Sequence, residues 1–239
     1  MEIQAFIFNW RGHEANALAL EASIGRLVET TVINSDEAAS GRHPGWVELG
    51  EEAYFSAQWN EALRRFRGDI LFHIQADARF DDFEALLARM LVARARHRPG
   101  VFEPNVDFTT IRYDAARLRA LEPQLYAVPL TDCTCWFIEA DVLAGLPAVD
   151  LGVNKLGWGI CAAVAAQSWA RGRPCVRDYA FTIQHPRGRG YSSRLALEQR
   201  VAYLGSLEPA LARSAARLYD LSARLRPSEV DGDVPPVAA

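Results

Sequence analysis

Cysteine, lysine and long apolar runs are all scarce in this chain. The four cysteines, Cys133, Cys135, Cys161 and Cys175, have spacings that match no common zinc-knuckle pattern, and reduced thiols are expected of them. No stretch approaches the roughly 20 apolar residues of a membrane-spanning helix. The opening run from Met1 to Phe8 has no basic flank and no small-residue cleavage site, so it does not read as a secretory signal. A cytoplasmic location is therefore expected. A basic excess is also missing. The 26 Lys and Arg residues face 30 Asp and Glu, a net charge of -4, which leaves no global field to draw in nucleic acid or an anionic membrane. Any anion site must be local. Lys155 is the single lysine, a compositional habit of an Ala- and Arg-rich chain that says nothing about partners. Neither a G-x-G-x-x-G fingerprint nor a phosphate-loop motif follows an early strand, which disfavours dehydrogenase-type cofactors. No internal repeat is present.

What remains is an ordinary globular composition, 50% hydrophobic and 23% charged over 239 residues, enough for one large α/β domain. Ile3 to Phe8 reads as a strand and Ala15 to Leu27 as a helix with one apolar face. The β-branched run Thr30 to Ile33 stops at Asn34-Ser35-Asp36, a strand end. Residues 38 to 50 look like a loop, Ala53 to Phe66 like a helix and Asp69 to Ile74 like a buried strand. Asp81 to Arg98 carries Phe83, Leu86, Leu87, Met90 and Leu91 at helical spacing and is closed by Pro99-Gly100. Shorter strands are expected at 106 to 112, 125 to 130 and 134 to 138, with a short helix at 114 to 121. Helices follow at 139 to 145 and 159 to 171, then a strand from Cys175 to Ile183 and helices over roughly 192 to 225. The expected fold is an open α/β sheet, mixed but mostly parallel, flanked by helices and carrying an antiparallel insert. The domain would run over 1–191, helices 192–226 would pack on it, and 227–239 would be a loose tail.

In such a sheet, ligands sit beyond the carboxyl ends of the strands. Three strand ends are polar: Asn9-Trp10-Arg11, Asn34-Ser35-Asp36 and Gln75-Ala76-Asp77. Taken alone, Asp77 could be a helix cap. At the end of an apolar strand it can instead hold a divalent ion against a diphosphate. His73, inside the apolar run, reads as a core histidine.

The order of Asn60 on its helix, Gly68-Asp69, the apolar strand, Asp77, Gly157-Trp158-Gly159 and His185 resembles the family 2-type glycosyltransferases of GT-A fold, over about residues 3 to 191. The resemblance implies a transferase that moves a sugar from a nucleotide-diphosphate donor to a hydroxyl on a saccharide or small molecule. Gln75 to Asp77 stands where that family has its Asp-x-Asp metal motif, and His185 resembles its late metal-binding histidine. A cation held by Asp77 and His185, Mn2+ or Mg2+, is implied, and the mixed ligands lean toward manganese. Asn9, Arg11 and Asp36 would lie near the base and ribose of the nucleotide. Asn60 would belong to the same donor side, and Arg187 and Arg189, in a loop with Gly188 and Gly190, would close over the diphosphate.

Trp158, Gly159 and Cys161 fall on the acceptor side. Ile160-Cys161 occupies the place where the family has its general base. A thiol with an ordinary pKa of about 8.5 is a poor base at neutral pH. Asp132 and Asp150 are candidate replacements, and a mechanism that retains configuration would need none. A non-catalytic protein of the same fold that binds a nucleotide sugar or glycan is the alternative. The C-terminal helices either cover the sheet or join two copies in a homodimer.

Overall fold

A computed structural model describes residues 1–50, 53–186 and 191–227. The elements run β1 (Ile3–Asn9), α1 (Glu14–Ile24), β2 (Glu29–Asn34), β3 (Val47–Glu48), α2 (Phe55–Arg65), β4 (Ile70–Gln75), α3 (Phe83–His97) and β5 (Val101–Val106). They continue with β6 (Arg119–Glu122), β7 (Leu125–Val128), β8 (Cys135–Glu139), α4 (Ala140–Leu143), α5 (Ile160–Ala170), β9 (Cys175–Ile183), α6 (Ser193–Ser206) and α7 (Pro209–Arg224).

Among the described residues one sheet of nine strands is formed, in the order β3-β2-β1-β4-β8-β5-β9-β7-β6. The pairings β1 with β2, β1 with β4, β2 with β3 and β5 with β9 are parallel. The remaining pairs, through β8 and through the β6–β7 hairpin, are antiparallel. The parallel half and the antiparallel insert are thus both present.

Strand side chains alternate between two cores, as the two-residue period of a strand dictates. Ala5, Ile7, Val32, Phe72 and Ile74 face α1 and α3, whose Leu20, Ile24, Phe83 and Leu86 fill that layer. Phe6, Phe8, Ile33, Leu71 and Trp136 face α2 and α5, and Tyr203, Leu207 and Ala215 of α6 and α7 join this second layer. The C-terminal helices therefore extend the main core. No helix among the described residues is long and apolar enough to cross a membrane.

Local signals set the helix ends. Asp82 caps α3 through Ala85 N at 3.0 Å, and Arg98 in the left-handed region ends it before Pro99. This removes the capping role considered for Asp77. Pro209 starts α7 where a missing N–H costs nothing, and Glu208 caps it.

Three expectations change. The 38–50 loop contains the two-residue β3. The strand expected at 106–112 lies earlier, at Val101–Val106, because Glu103 is neutralised inside by Arg177 and Pro104 sits at a bulge in the pairing with β9. The β-branched Thr109, Thr110 and Ile111 belong instead to a cavity wall. The helix at 114–121 is only a 3-10 turn over Ala115–Arg117, capped by Asp114, before the chain turns into β6.

Candidate functional site

The strands β2-β1-β4 diverge in connection on either side of β1, so the carboxyl ends of β1 and β4 frame the crevice of an open α/β sheet. The β1 and β2 ends are locked by a polar network. Gln58 of α2 donates to the Asn9 carbonyl at 2.7 Å and the Ile33 carbonyl at 3.0 Å. Asn9 Nδ2 donates to Asn34 Oδ1 at 2.7 Å, while the buried Asn9 Oδ1 has no partner among the described residues. Asp36 accepts from Gly12 N at 3.2 Å and Ala38 N at 3.0 Å, which fixes the turn that carries Arg11. Asn9, Arg11 and Asp36 therefore do sit together at two adjacent strand ends. Gln58, missed in the sequence, is what holds those ends in register.

At the end of β4, Asn16 of α1 donates to the Ala76 and Ala78 carbonyls at 2.5 and 2.7 Å, clamping the turn on both sides of Asp77. Just beyond it, Arg79 forms an antiparallel bridge with Gln184, with N–H to O distances of 2.8 and 3.0 Å. This zips the segment after β9 onto the segment after β4. His185 N also donates to Asp107 Oδ1 at 2.8 Å. The consequence is that His185 Nε2 lies 3.3 Å from Asp77 Oδ2, with both side chains mostly covered. Burial would lower the imidazole pKa, but the Asp77 carboxylate outweighs it and holds His185 above its ordinary value. Asp77 Oδ1 and His185 Nδ1 are buried with no partner among the described residues. A carboxylate and an imidazole side by side, each with an unused polar atom, fit a divalent cation of the manganese type. Among the described residues no cluster of three or more His, Cys, Asp or Glu side chains accompanies them.

Beside this pair opens a cavity of about 260 Å³, lined among others by Gln75, Asp132, Cys133, Trp158, Gly159, Cys161 and His185. Gly157 and Gly159 have φ of +84° and +96°, and a Cβ on Gly157 would lie 2.5 Å from the Phe55 ring. Only glycine fits there. The turn they make presents Trp158, whose indole donates to Tyr191 at 2.9 Å. Asp132 accepts from the hydroxyl of Thr109 and from Thr134 N and Oγ1 at 3.0 and 2.8 Å. Burial pushes the Cys161 thiol up to about 12, so it stays protonated and is no base.

Two loops of this cavity rest on one buried ion pair that the sequence did not suggest. Arg177 donates to Glu103 at 2.6 Å and to the Ile111 carbonyl at 2.7 Å, while Asp132 N donates to the other Glu103 oxygen at 2.6 Å. Burial opposes the charge on Arg177, yet Glu103 holds the guanidinium above its ordinary pKa. His73 serves the same loop from β4. Its Nε2 donates to the Cys133 carbonyl at 3.0 Å, and burial drives its pKa to about 3. It is neutral and structural, as read from the sequence.

No protein-family model matches the chain, and no curated protein does. Solved structures do. The GalNAc-T7 structure with UDP, GalNAc and Mn2+ superposes with a TM-score of 0.64 at 14% identity, covering 88% of this chain and 49% of that one. TarS from S. aureus with UDP-GlcNAc gives 0.59 at 12%, covering 95% and 74%. Glucosyl-3-phosphoglycerate synthase from Mycobacterium tuberculosis, with Mn2+, UDP-glucose and phosphoglyceric acid, gives 0.58 at 14%, covering 90% and 80%. The chain has the GT-A fold. It spans about half the length of GalNAc-T7.

Within this GT-A frame two of the expected site residues fall elsewhere. Asn60 is engaged by the chain itself: its amide donates to the Val149 carbonyl and accepts from Val149 N, both at 2.8 Å. Asp150 is exposed, accepts from Gly152 N at 2.8 Å, and does not line the cavity. Asn60 tethers α2 to the loop before α5, and Asp150 closes a turn within that loop. Arg187 and Arg189 lie outside the described residues. Arg200, Tyr219 and Arg226 do line the cavity. They were missed because helices read as sheet cover give no local sign of facing a pocket.

Proposed function

We propose that the protein is a metal-dependent glycosyltransferase that moves a sugar from a nucleoside diphosphate to a hydroxyl of a saccharide or small molecule. The observation that carries this reading is the meeting of Asp77 and His185 at the end of β4, 3.3 Å apart, beside the Trp158 cavity. When bound, a divalent cation there would neutralise charge on the departing diphosphate. Asn9, Asp36 and Gln58 would order the strand ends against the base and ribose. Trp158 offers an apolar face to a sugar ring. Asp132 is the acid among the cavity-lining residues and would take the acceptor proton as the acceptor oxygen bonds to the anomeric carbon and the bond to the diphosphate breaks. Thr109 and Thr134 aim its carboxylate.

Thermal melting with UDP or GDP tests this. The nucleotide should raise the melting temperature only with Mn2+ or Mg2+, and Asp77→Asn should abolish that rise and slow transfer about a hundredfold, or about 3 kcal/mol. Metal-independent stabilisation, or none with any nucleotide, contradicts the reading.

A second reading, donor binding without transfer, is favoured by one observation, the protonated Cys161 where a base is expected. Product from a panel of donors eliminates it, and tight donor binding without turnover or hydrolysis supports it.

A further inference from the structure

Arginines in this molecule are commonly matched to carboxylates. Arg64 and Arg65 hold Glu61, Arg89 holds Glu122 and Asp178, Arg94 and Arg173 hold Glu139, and Arg177 holds Glu103. Arg200 and Arg226, like Arg26, Arg112 and Arg217, pair with no carboxylate among the described residues, but unlike those they line the 260 Å³ cavity. Arg200 is nonetheless held in place. Its guanidinium lies over the Tyr219 ring at 4.9 Å, and its stem packs so closely on Gly159 that a Cβ there would come within 3.1 Å of Arg200 Cγ. Tyr219 both underlies the guanidinium and takes a hydrogen bond from it, which fixes the planar group and leaves its other N–H donors for a ligand. The acid that shares the cavity, Asp132, already accepts from Thr109 and Thr134. The cavity thus combines a pinned guanidinium, a second one from just past α7, and an acid, Asp132, held by Thr109 and Thr134 and by neither arginine.

We infer that the acceptor is a small hydroxylated molecule bearing an anionic group, a phosphate monoester or a carboxylate, that Arg200 grips with Arg226 as the second contact. The inference rests on the glycosyl-transfer reading and names its acceptor class. A guanidinium binds either oxyanion in a bidentate, charge-assisted way, and the anion would orient the free hydroxyl within the cavity.

Calorimetric titration of the full chain with glycerol 3-phosphate and with malate, against uncharged glycerol, tests it. At least one anion should bind and glycerol should not. Arg200→Gln should weaken that binding at least tenfold, and Arg226→Gln, at an exposed position that folding tolerates, should weaken it several-fold. Arg64→Gln, in the separate cavity lined by Gln4, Glu29, Arg64, Arg65 and Arg67, should leave it unchanged. Saturating UDP with Mn2+ should not displace the anion. Binding of neither anion, equal binding by wild type and both cavity variants, or displacement by UDP overturns the inference. Arginine-dependent anion binding without any nucleotide or metal effect would leave this cavity standing as an anion site and bring down the transfer reading alone.

Discussion

The two sides of the crevice, proposed above as the donor side and the acceptor side, are built differently. The donor side is the ends of three adjacent parallel strands, β1, β2 and β4, already in register through the sheet and further clamped by Gln58 and Asn16. The acceptor side is assembled from the loops after β5 and before β8, the turn before α5, and the two C-terminal helices. Backbone hydrogen bonds of a sheet fix the first. Side-chain contacts over long sequence separations fix the second, and the Glu103–Arg177 pair is the main one. The acceptor side should therefore fail first when single contacts are removed.

The largest effect expected follows from that pair. Arg177→Met leaves Glu103 buried without its partner and should cost about 3–5 kcal/mol, whereas pairing it with Glu103→Leu should recover most of the stability. Chemical denaturation measures both. In the double variant, metal-dependent nucleotide stabilisation should persist while acceptor binding weakens. Loss of both together would break the distinction between the two sides.

A smaller effect comes from His73, which joins the sides by linking β4 to the Cys133 carbonyl. Its pKa is about 3 folded and about 6.5 unfolded. Above the unfolded value both states are neutral and its stabilising contribution is complete. As pH falls, the unfolded chain takes up a proton that the folded one refuses, so stability drains away between about 6.5 and 3, by about 3 kcal/mol at pH 4. His73→Gln keeps a donor for Cys133 without titrating in this range, and its stability should fall less over the same window. An identical pH dependence in that variant would place the effect elsewhere.

The smallest concerns Asn60. Asn60→Ala should cost about 1 kcal/mol by freeing Val149 and leave nucleotide binding unchanged. A matching loss of nucleotide binding would return this residue to the donor side.

This contrast also explains what was legible beforehand. The early βα units and the polar strand ends, with Asp77 on one of them, follow from local periodicity and terminators, whereas His185 was singled out by its resemblance to the late histidine of the glycosyltransferase family. The strand β5 was shifted because Glu103 and Pro104 break the apolar pattern, and only the distant Arg177 makes the glutamate tolerable inside. Asn60 and Asp150 carry chemistry suited to a site, but local hydrogen bonds to Val149 and Gly152 use it for loop structure. Arg200 and Tyr219 look like ordinary helix-surface residues until α6 and α7 fold back over α5. Residues whose role depends on one strand were readable, and those whose role depends on several segments were not.

The most direct test is anomalous scattering from a crystal grown with Mn2+ and a nucleoside diphosphate. The account predicts one manganese peak bonded to Asp77 and His185 and to the diphosphate oxygens. A nucleotide bound with manganese at some other site, or with those two side chains uncoordinated, would contradict it.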